Sequence, residues 1–356
     1  MTSQLLSIET RVQHTRPDIT PLEEEVLLRV LRSGNLAMGR ECELLEGKVA
    51  TLSGRRYGIV TNSGTTALTL LLRVLTKPGE EVVLPSYVCE SLLHAIRECG
   101  LHPKFADVCE ETCNLTLSTV RSVLSSHTRL IIAPHMFGLP IEDIEEICTL
   151  APTVEDCAHT VGVPVNGKPV GGFGCAAFFS FYATKLICGI EGGAVTTNRS
   201  DCVESMRDLR CYRGKVDFRQ RFSFQSNDLV AAIAGVQIAR LPEFIQQRRL
   251  LASWYREELS DQSDVLLPSD NVFRNSCFTR FLIRVSEERR DAVRVRMHQC
   301  GVDCGIGVAR SLDVSGCCPV SYRLVRTSLS LPIYTALTRE DVKFVCATLK
   351  NVLREV

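Results

Sequence analysis

The chain has 356 residues, about twice a usual single-domain length, so it is long enough for two domains or for one large α/β domain with an appendage. Apolar residues make up 45% and charged residues 23%, which excludes a disordered, collagen-like or fibrous chain. Its 41 Lys+Arg balance 41 Asp+Glu, and this argues against a protein built for nucleic acid or anionic membranes.

Strand-like apolar runs occur at 57–61, 81–85, 102–107, 129–135, 152–158, 175–181 and 193–198, and amphipathic helical stretches fall at 65–76, 89–99, 116–125 and 141–150. A further N-terminal helix over 21–34 is stopped by Gly34. Buried strands alternating with helices predict a three-layer α/β sandwich around a mostly parallel sheet. From Asn227 to Leu259 runs a long connecting helix, expected to be kinked or broken at Pro242. A strand at 277–286 and helices near 288–299 and 339–353 predict a smaller α+β unit. The expected division is 1–250, a large binding domain with its N-terminal segment, and 251–356, a small C-terminal domain.

Seventeen cysteines are the compositional oddity. The N-terminus shows no basic stretch followed by an apolar core, no apolar run reaches the roughly 20 residues of a membrane span, and no CxxC pair seeds a metal site. The expectation is a cytoplasmic protein with reduced cysteines used as small buried apolar residues, and with no metal.

Three segments can carry chemistry. TNSGTTAL (61–68) lies where a strand gives way to a helix; Gly64 permits close approach and Ser63 and Thr65 add donors to a helix N-terminus suited to phosphate. Its plainer reading is a capped helix start. VEDCAHTVG (154–162) ends a strand in carboxylates, so Asp156 can meet a cationic ring nitrogen or a metal, with His159 beside it; alternatively Asp156 caps a turn and His159 is a core histidine. FFSFYATKLICGIEGG (178–193) places Lys185 among apolar flanks, where desolvation makes a lysine a carbonyl nucleophile, although most lysines are surface charges. Together, a phosphate cradle, an acid for a pyridine nitrogen and a Schiff-base lysine are what pyridoxal 5'-phosphate requires.

The order and spacing of NSGTTAL, EVVLPSYV, FADV, IIAPHMFGLPIEDI, VEDCAHTVG, the Lys185 segment, LVAAIAGVQIARL and LSLPIYTALT resemble the DegT/DnrJ/StrS aminotransferases. The resemblance implies a fold type I pyridoxal-phosphate enzyme that moves an amino group from an amino acid, glutamate or glutamine, to a keto acceptor, commonly a nucleotide-linked sugar. It also implies a homodimer with interfacial sites. Lys185 then bears the cofactor, Asp156 faces the pyridine nitrogen, and His159 stands beside the 3-hydroxyl. Gly64, Thr65 and Ser180 hold the phosphate, and Ala158 lies against the cofactor. A lysine at 185 also separates the chain from the family's dehydratase branch, which has histidine there.

Departures accompany the match. Cys89 stands where the family has a stacking aromatic. Ser223 replaces the partner-derived Asn that reaches the phosphate, with Asn227 as a nearby substitute, and Gln225 replaces the Arg of that segment. Residues 301–331 lack the family's His-Tyr pair. These differences leave room for a non-sugar carbonyl acceptor, such as a cyclitol, and for a non-catalytic regulator on the same fold. Arg210, Arg213, Arg219 and Arg221 are candidates for the donor's carboxylate.

Overall fold

A computed structural model describes residues 10–356. After helices α1 (Pro21–Ser33) and α2 (Arg40–Leu52), strands and helices alternate: β1 (Tyr57–Thr61), α3 (Gly64–Leu75), β2 (Glu81–Pro85), α4 (Ser91–Glu98), β3 (His102–Ala106), α5 (Leu117–Arg121), β4 (Thr128–Pro134), α6 (Ile144–Leu150) and β5 (Thr153–Asp156). A two-residue ribbon, β6 (Pro164–Val165) and β7 (Lys168–Pro169), precedes β8 (Ala176–Ser180), β9 (Gly193–Thr197), α7 (Ser200–Arg210) and α8 (Asp228–Leu259). The chain closes with α9 (Asp270–Asn275), β10 (Phe281–Arg284), α10 (Glu287–Gln299), α11 (Pro319–Thr327), β11 (Ser328–Leu331) and α12 (Arg339–Glu355).

Seven strands form one sheet in the order β1-β9-β8-β5-β4-β2-β3. Only β9 runs antiparallel to its neighbours, so β1, β8, β5, β4, β2 and β3 all end at one edge. Strands β1, β2, β4, β5, β8 and β9 are buried along most of their length, which is why they read as near-continuous apolar runs. All seven expected strands are present. The N-terminal helix ends at Gly34, whose φ of 72° supplies the left-handed cap.

Two helices differ from expectation. The run expected at 116–125 is helical only over Leu117–Arg121. The Ser122 hydroxyl donates to the Thr119 carbonyl, and that of Ser125 leaves to donate to Glu81, so side chains compete with a further turn. Helix α8, by contrast, is unbroken across Pro242. A proline there forfeits a backbone bond at a cost of about 3 kcal/mol. Pro242 faces solvent, however, while both halves of the helix are buried: Ala234, Leu241 and Phe244 against the large sheet, and Leu251, Tyr255 and Leu259 in a second core shared with β10, β11, α10 and α12. Val12 joins this second core and pairs with Val302.

All seventeen cysteines are unpaired and ten are buried, among them Cys42, Cys157 and Cys277. Among the described residues no helix is long and apolar enough to cross a membrane, and no cluster of three or more His, Cys, Asp or Glu is arranged to hold a metal.

Candidate active site

The shared edge of the parallel strands opens into a cavity of about 260 Å³. The turn after β1 contributes Ser63, Gly64 and Thr65, and the loop after β2 contributes Cys89. From β4 come His135 and Met136, from β5 Asp156, Ala158 and His159, and from β8 Ser180 and Lys185. Ligands of α/β proteins bind at this edge because loops and helix starts converge there.

At one end the Ser63 hydroxyl accepts the Thr66 N–H at 3.1 Å while Thr66 accepts from the Ser63 N–H at 3.2 Å. Ser63 is therefore a helix cap, as its plainer reading held, and the cap leaves the N–H groups of Gly64 and Thr65 without intrahelical partners. A Cβ on Gly64 would lie 2.8 Å from that of Ser180, and one on Gly193 would lie 2.5 Å from the Ser63 carbonyl. The backbone thus forms a tight cradle whose free donors and helix dipole suit an anion.

At the other end Asp156 is almost wholly buried, and its Oδ1 accepts the Ala158 N–H at 2.9 Å. Burial raises its pKa, against the opposing pull of that N–H and of Lys185. Burial lowers the pKa of Lys185, with Asp156 opposing and Arg280 adding to the fall. His159 is pushed well below the ordinary histidine range by burial and then by Lys185 and Arg280, so it is neutral. Its Nδ1 is buried without a hydrogen-bond partner among the described residues.

Ser223 and Asn227 lie outside the cavity of their own chain. Ser223 is exposed, with its carbonyl accepting from Asn62, and Asn227 Oδ1 caps α8 by accepting the Val230 N–H at 3.0 Å. Gln225 accepts from the Cys211 thiol. Two arginine candidates are already engaged: Arg210 with Glu46 at 2.8 Å, and Arg221 with Asp208 and Asp217. Arg213 and Arg219 sit on an exposed segment. The sequence reading missed His135, Tyr182 and Glu191, which also line the cavity; His135 could have been found as the polar residue closing the apolar strand RLIIAP.

These features fit pyridoxal phosphate. The cradle that a Cβ would fill takes an anion, the unpartnered His159 Nδ1 awaits a polar group, and a desolvated lysine faces a buried carboxylate. A parallel sheet edge with this donor set defines a pyridoxal-phosphate enzyme of fold type I. The chain belongs to the DegT/DnrJ/EryC1/StrS aminotransferase family, whose model matches residues 17–350. It is 29% identical to the UDP-N-acetyl-3-dehydro-α-D-glucosamine 3-aminotransferase of Acidithiobacillus ferrooxidans, over 95% of this chain and 96% of the relative. It is 25% identical to the pleiotropic regulatory protein of Geobacillus stearothermophilus, over 99% of each. The structure of DesI in the presence of its TDP-sugar product superposes with a TM-score of 0.89 at 27% identity, covering 98% of this chain and 94% of that one. The protein is a pyridoxal-phosphate-dependent aminotransferase.

Proposed function

We propose that the enzyme moves the amino group of glutamate or glutamine to the keto group of a nucleotide-linked sugar, working as a cytoplasmic homodimer. The observation that carries the chemistry is the placement of Lys185 and Asp156 in one cavity, near enough for each to pull on the other's pKa. Support for the acceptor comes from the full-length likeness to a UDP-sugar aminotransferase and to DesI, crystallised with a TDP-sugar. Division of the chain near residue 250 agrees with the two cores, since the buried residues of α8 join the first through Ile245 and the second from Leu251.

In this reading the Gly64 and Thr65 N–H groups and Ser180 hold the phosphate, Asp156 holds a proton on the ring nitrogen, and His159 orients the 3-hydroxyl. Bound there, pyridoxal phosphate supplies the electron sink for proton removal beside nitrogen. Lys185 Nζ would hold the aldehyde carbon of the cofactor and would be set free when the donor's amine takes its place. Made less basic by burial, the freed Nζ would accept the proton of the donor's Cα and deliver it to the carbon on the far side of the donor nitrogen. Val88 and Leu92 line the same cavity and make that part of its wall apolar. With a keto acceptor the same groups act in reverse.

A non-sugar carbonyl is the second reading, favoured by Cys89 and by the segment after Gly301. There Leu312 and Asp313 bond to Ser86, and Val320 and Ser321 bond to Asp107, beside the strand ends. Adding L-glutamate to the holoenzyme should convert its visible absorbance to that of the pyridoxamine form, and a panel of nucleotide-linked keto-sugars should restore it faster than simple ketones. No conversion by either L-glutamate or L-glutamine would leave the regulatory role of the Geobacillus relative as the better account, and equal rates across the panel would favour the non-sugar acceptor.

A further inference from the structure

We propose that Arg280 anchors a substrate carboxylate, from the wall of a second cavity that adjoins the Lys185 cavity. This second cavity, about 340 Å³, lies between the β4 end and β10, with Phe137, Phe278, Leu282 and Arg280 in its wall. Met136 belongs to both cavities. The Arg280 N–H donates to the Phe137 carbonyl at 3.4 Å, and the Phe137 ring lies 5.6 Å from that of His159.

Arg280 lines this second cavity without a counter-ion. Nη1 donates to the Ile306 carbonyl at 3.2 Å, and among the described residues no carboxylate lies within 4 Å. Its neighbours are differently placed. Arg284, in the same cavity wall, is paired with Glu110 at 2.7 Å, and Arg248, deeper in the core and also without a carboxylate, has its Nη1 engaged by the carbonyls of Phe278, Thr279 and Ile333. Burial without a partner lowers the pKa of Arg280, and its uncompensated charge helps to lower those of Lys185, His159 and His14. A partly buried guanidinium is costly to keep unpaired, and its planar fork matches a carboxylate.

The inference rests on the aminotransferase reading: an amino-acid donor carries a carboxylate on the carbon that must lose its proton, so a fixed cation near Lys185 orients that carbon. An acidic sugar could bring the same group on the acceptor side.

The test compares wild-type holoenzyme with Arg280→Gln and Arg280→Lys. Each is converted by L-glutamate and by its 1-amide, which lacks the α-carboxylate, and each is titrated calorimetrically with glutarate as an unreactive carboxylate. Arg280→Gln should lose about 100-fold in kcat/KM for glutamate and about 10-fold in glutarate affinity, keep its rate with the amide within about 3-fold, and retain cofactor; Arg280→Lys should fall between. If donor selectivity is unchanged but preference for a nucleotide-linked keto-uronate over the neutral keto-sugar collapses, the anchored carboxylate is the acceptor's. Unchanged selectivity in both arms with unchanged glutarate affinity overturns the proposal. Should Arg280→Gln fail to fold, loss of glutamate selectivity in Arg280→Lys decides for it, and retention decides against. A wild type inert to both glutamate and glutamine defeats the aminotransferase reading instead, and glutarate binding then still tests Arg280.

Discussion

Glu155 and Asp156 are consecutive on β5, yet their carboxyl groups are shifted in opposite directions. Burial alone would raise both. In Glu155 it is overcome by hydrogen bonds from His135 and from the N–H groups of Gly171, Phe173 and Gly174, at 2.7 to 3.2 Å. Asp156 has only the Ala158 N–H and faces the cavity. Alternation along a strand thus assigns one carboxylate to the scaffold and the other to the site. Glu155→Gln places an amide donor against N–H donors, and should lower apoenzyme stability by about 3 kcal/mol in urea unfolding. Asp156→Asn should leave that transition in place, retain cofactor and slow turnover at least about 100-fold. Unchanged kinetics in the second variant would remove Asp156 from its role.

In the proposed mechanism Lys185 has one duty at rest and another in turnover, so its replacement is not graded. Lys185→Ala should lose both the visible absorbance of the bound cofactor and transamination, while its far-ultraviolet circular dichroism stays that of the wild type. An active variant would show that a different amine carries the chemistry.

The sheet was legible because its strands are apolar along their length and bounded by turn residues, and the three motifs were legible because each joins a strand end to a loop. Other features depend on tertiary contact. Helix α2 escaped notice because Glu46 interrupts its buried stripe of Cys42, Leu45 and Val49; only in the fold do Arg207 and Arg210 neutralise it. Arg280 escaped because in FTRFLIRV it reads as the polar phase of an alternating strand, and its position against the site comes from a backbone bond to Phe137, more than 140 residues away. Continuity across Pro242 was likewise invisible, since the buried faces that hold α8 together belong to two different cores.

Cys89 is exposed and lines the cavity, with Ser91 Oγ donating to its sulfur at 3.3 Å. Neither Val88 nor Leu92 beside it offers an aromatic face. Iodoacetamide should therefore block cofactor binding in the apoenzyme, with bound cofactor protecting and Cys89→Ala insensitive; persistent inactivation of Cys89→Ala would point to Cys300 or Cys317, the other exposed thiols. Cys89→Phe restores a ring to this wall and should slow cofactor loss on dialysis. Faster loss would indicate that the loop after β2 has no room for the ring.

The segment between α7 and α8 leaves Val216 and Phe218 fully exposed and Tyr212 largely so, and its far end, at Ser223, reaches back to Asn62 beside the phosphate cradle. An apolar patch next to the site is what a second copy of the chain would cover in the proposed dimer. Wild-type protein should sediment as a dimer, and Phe218→Asp should shift it toward monomer and weaken cofactor retention together. A fully active wild-type monomer would contradict the interfacial site.

His14 ties the N-terminal segment to β11 through Ser330, at 2.9 Å, and Gly305 passes against its ring. Burial first, and then Arg280, push its pKa down to about 4, with Asp303 opposing. The folded state therefore excludes a proton that the unfolded chain takes up near pH 6.5. The stability this represents is complete above pH 6.5 and is lost as pH falls toward 4, to a limit of about 3 kcal/mol. Urea midpoints measured near pH 7 and about pH 4.5 should fall less in His14→Gln than in the wild type, because the variant has nothing to protonate there while the carboxylates titrate in both. Equal falls would place the acid sensitivity elsewhere and leave His14 a neutral packing residue.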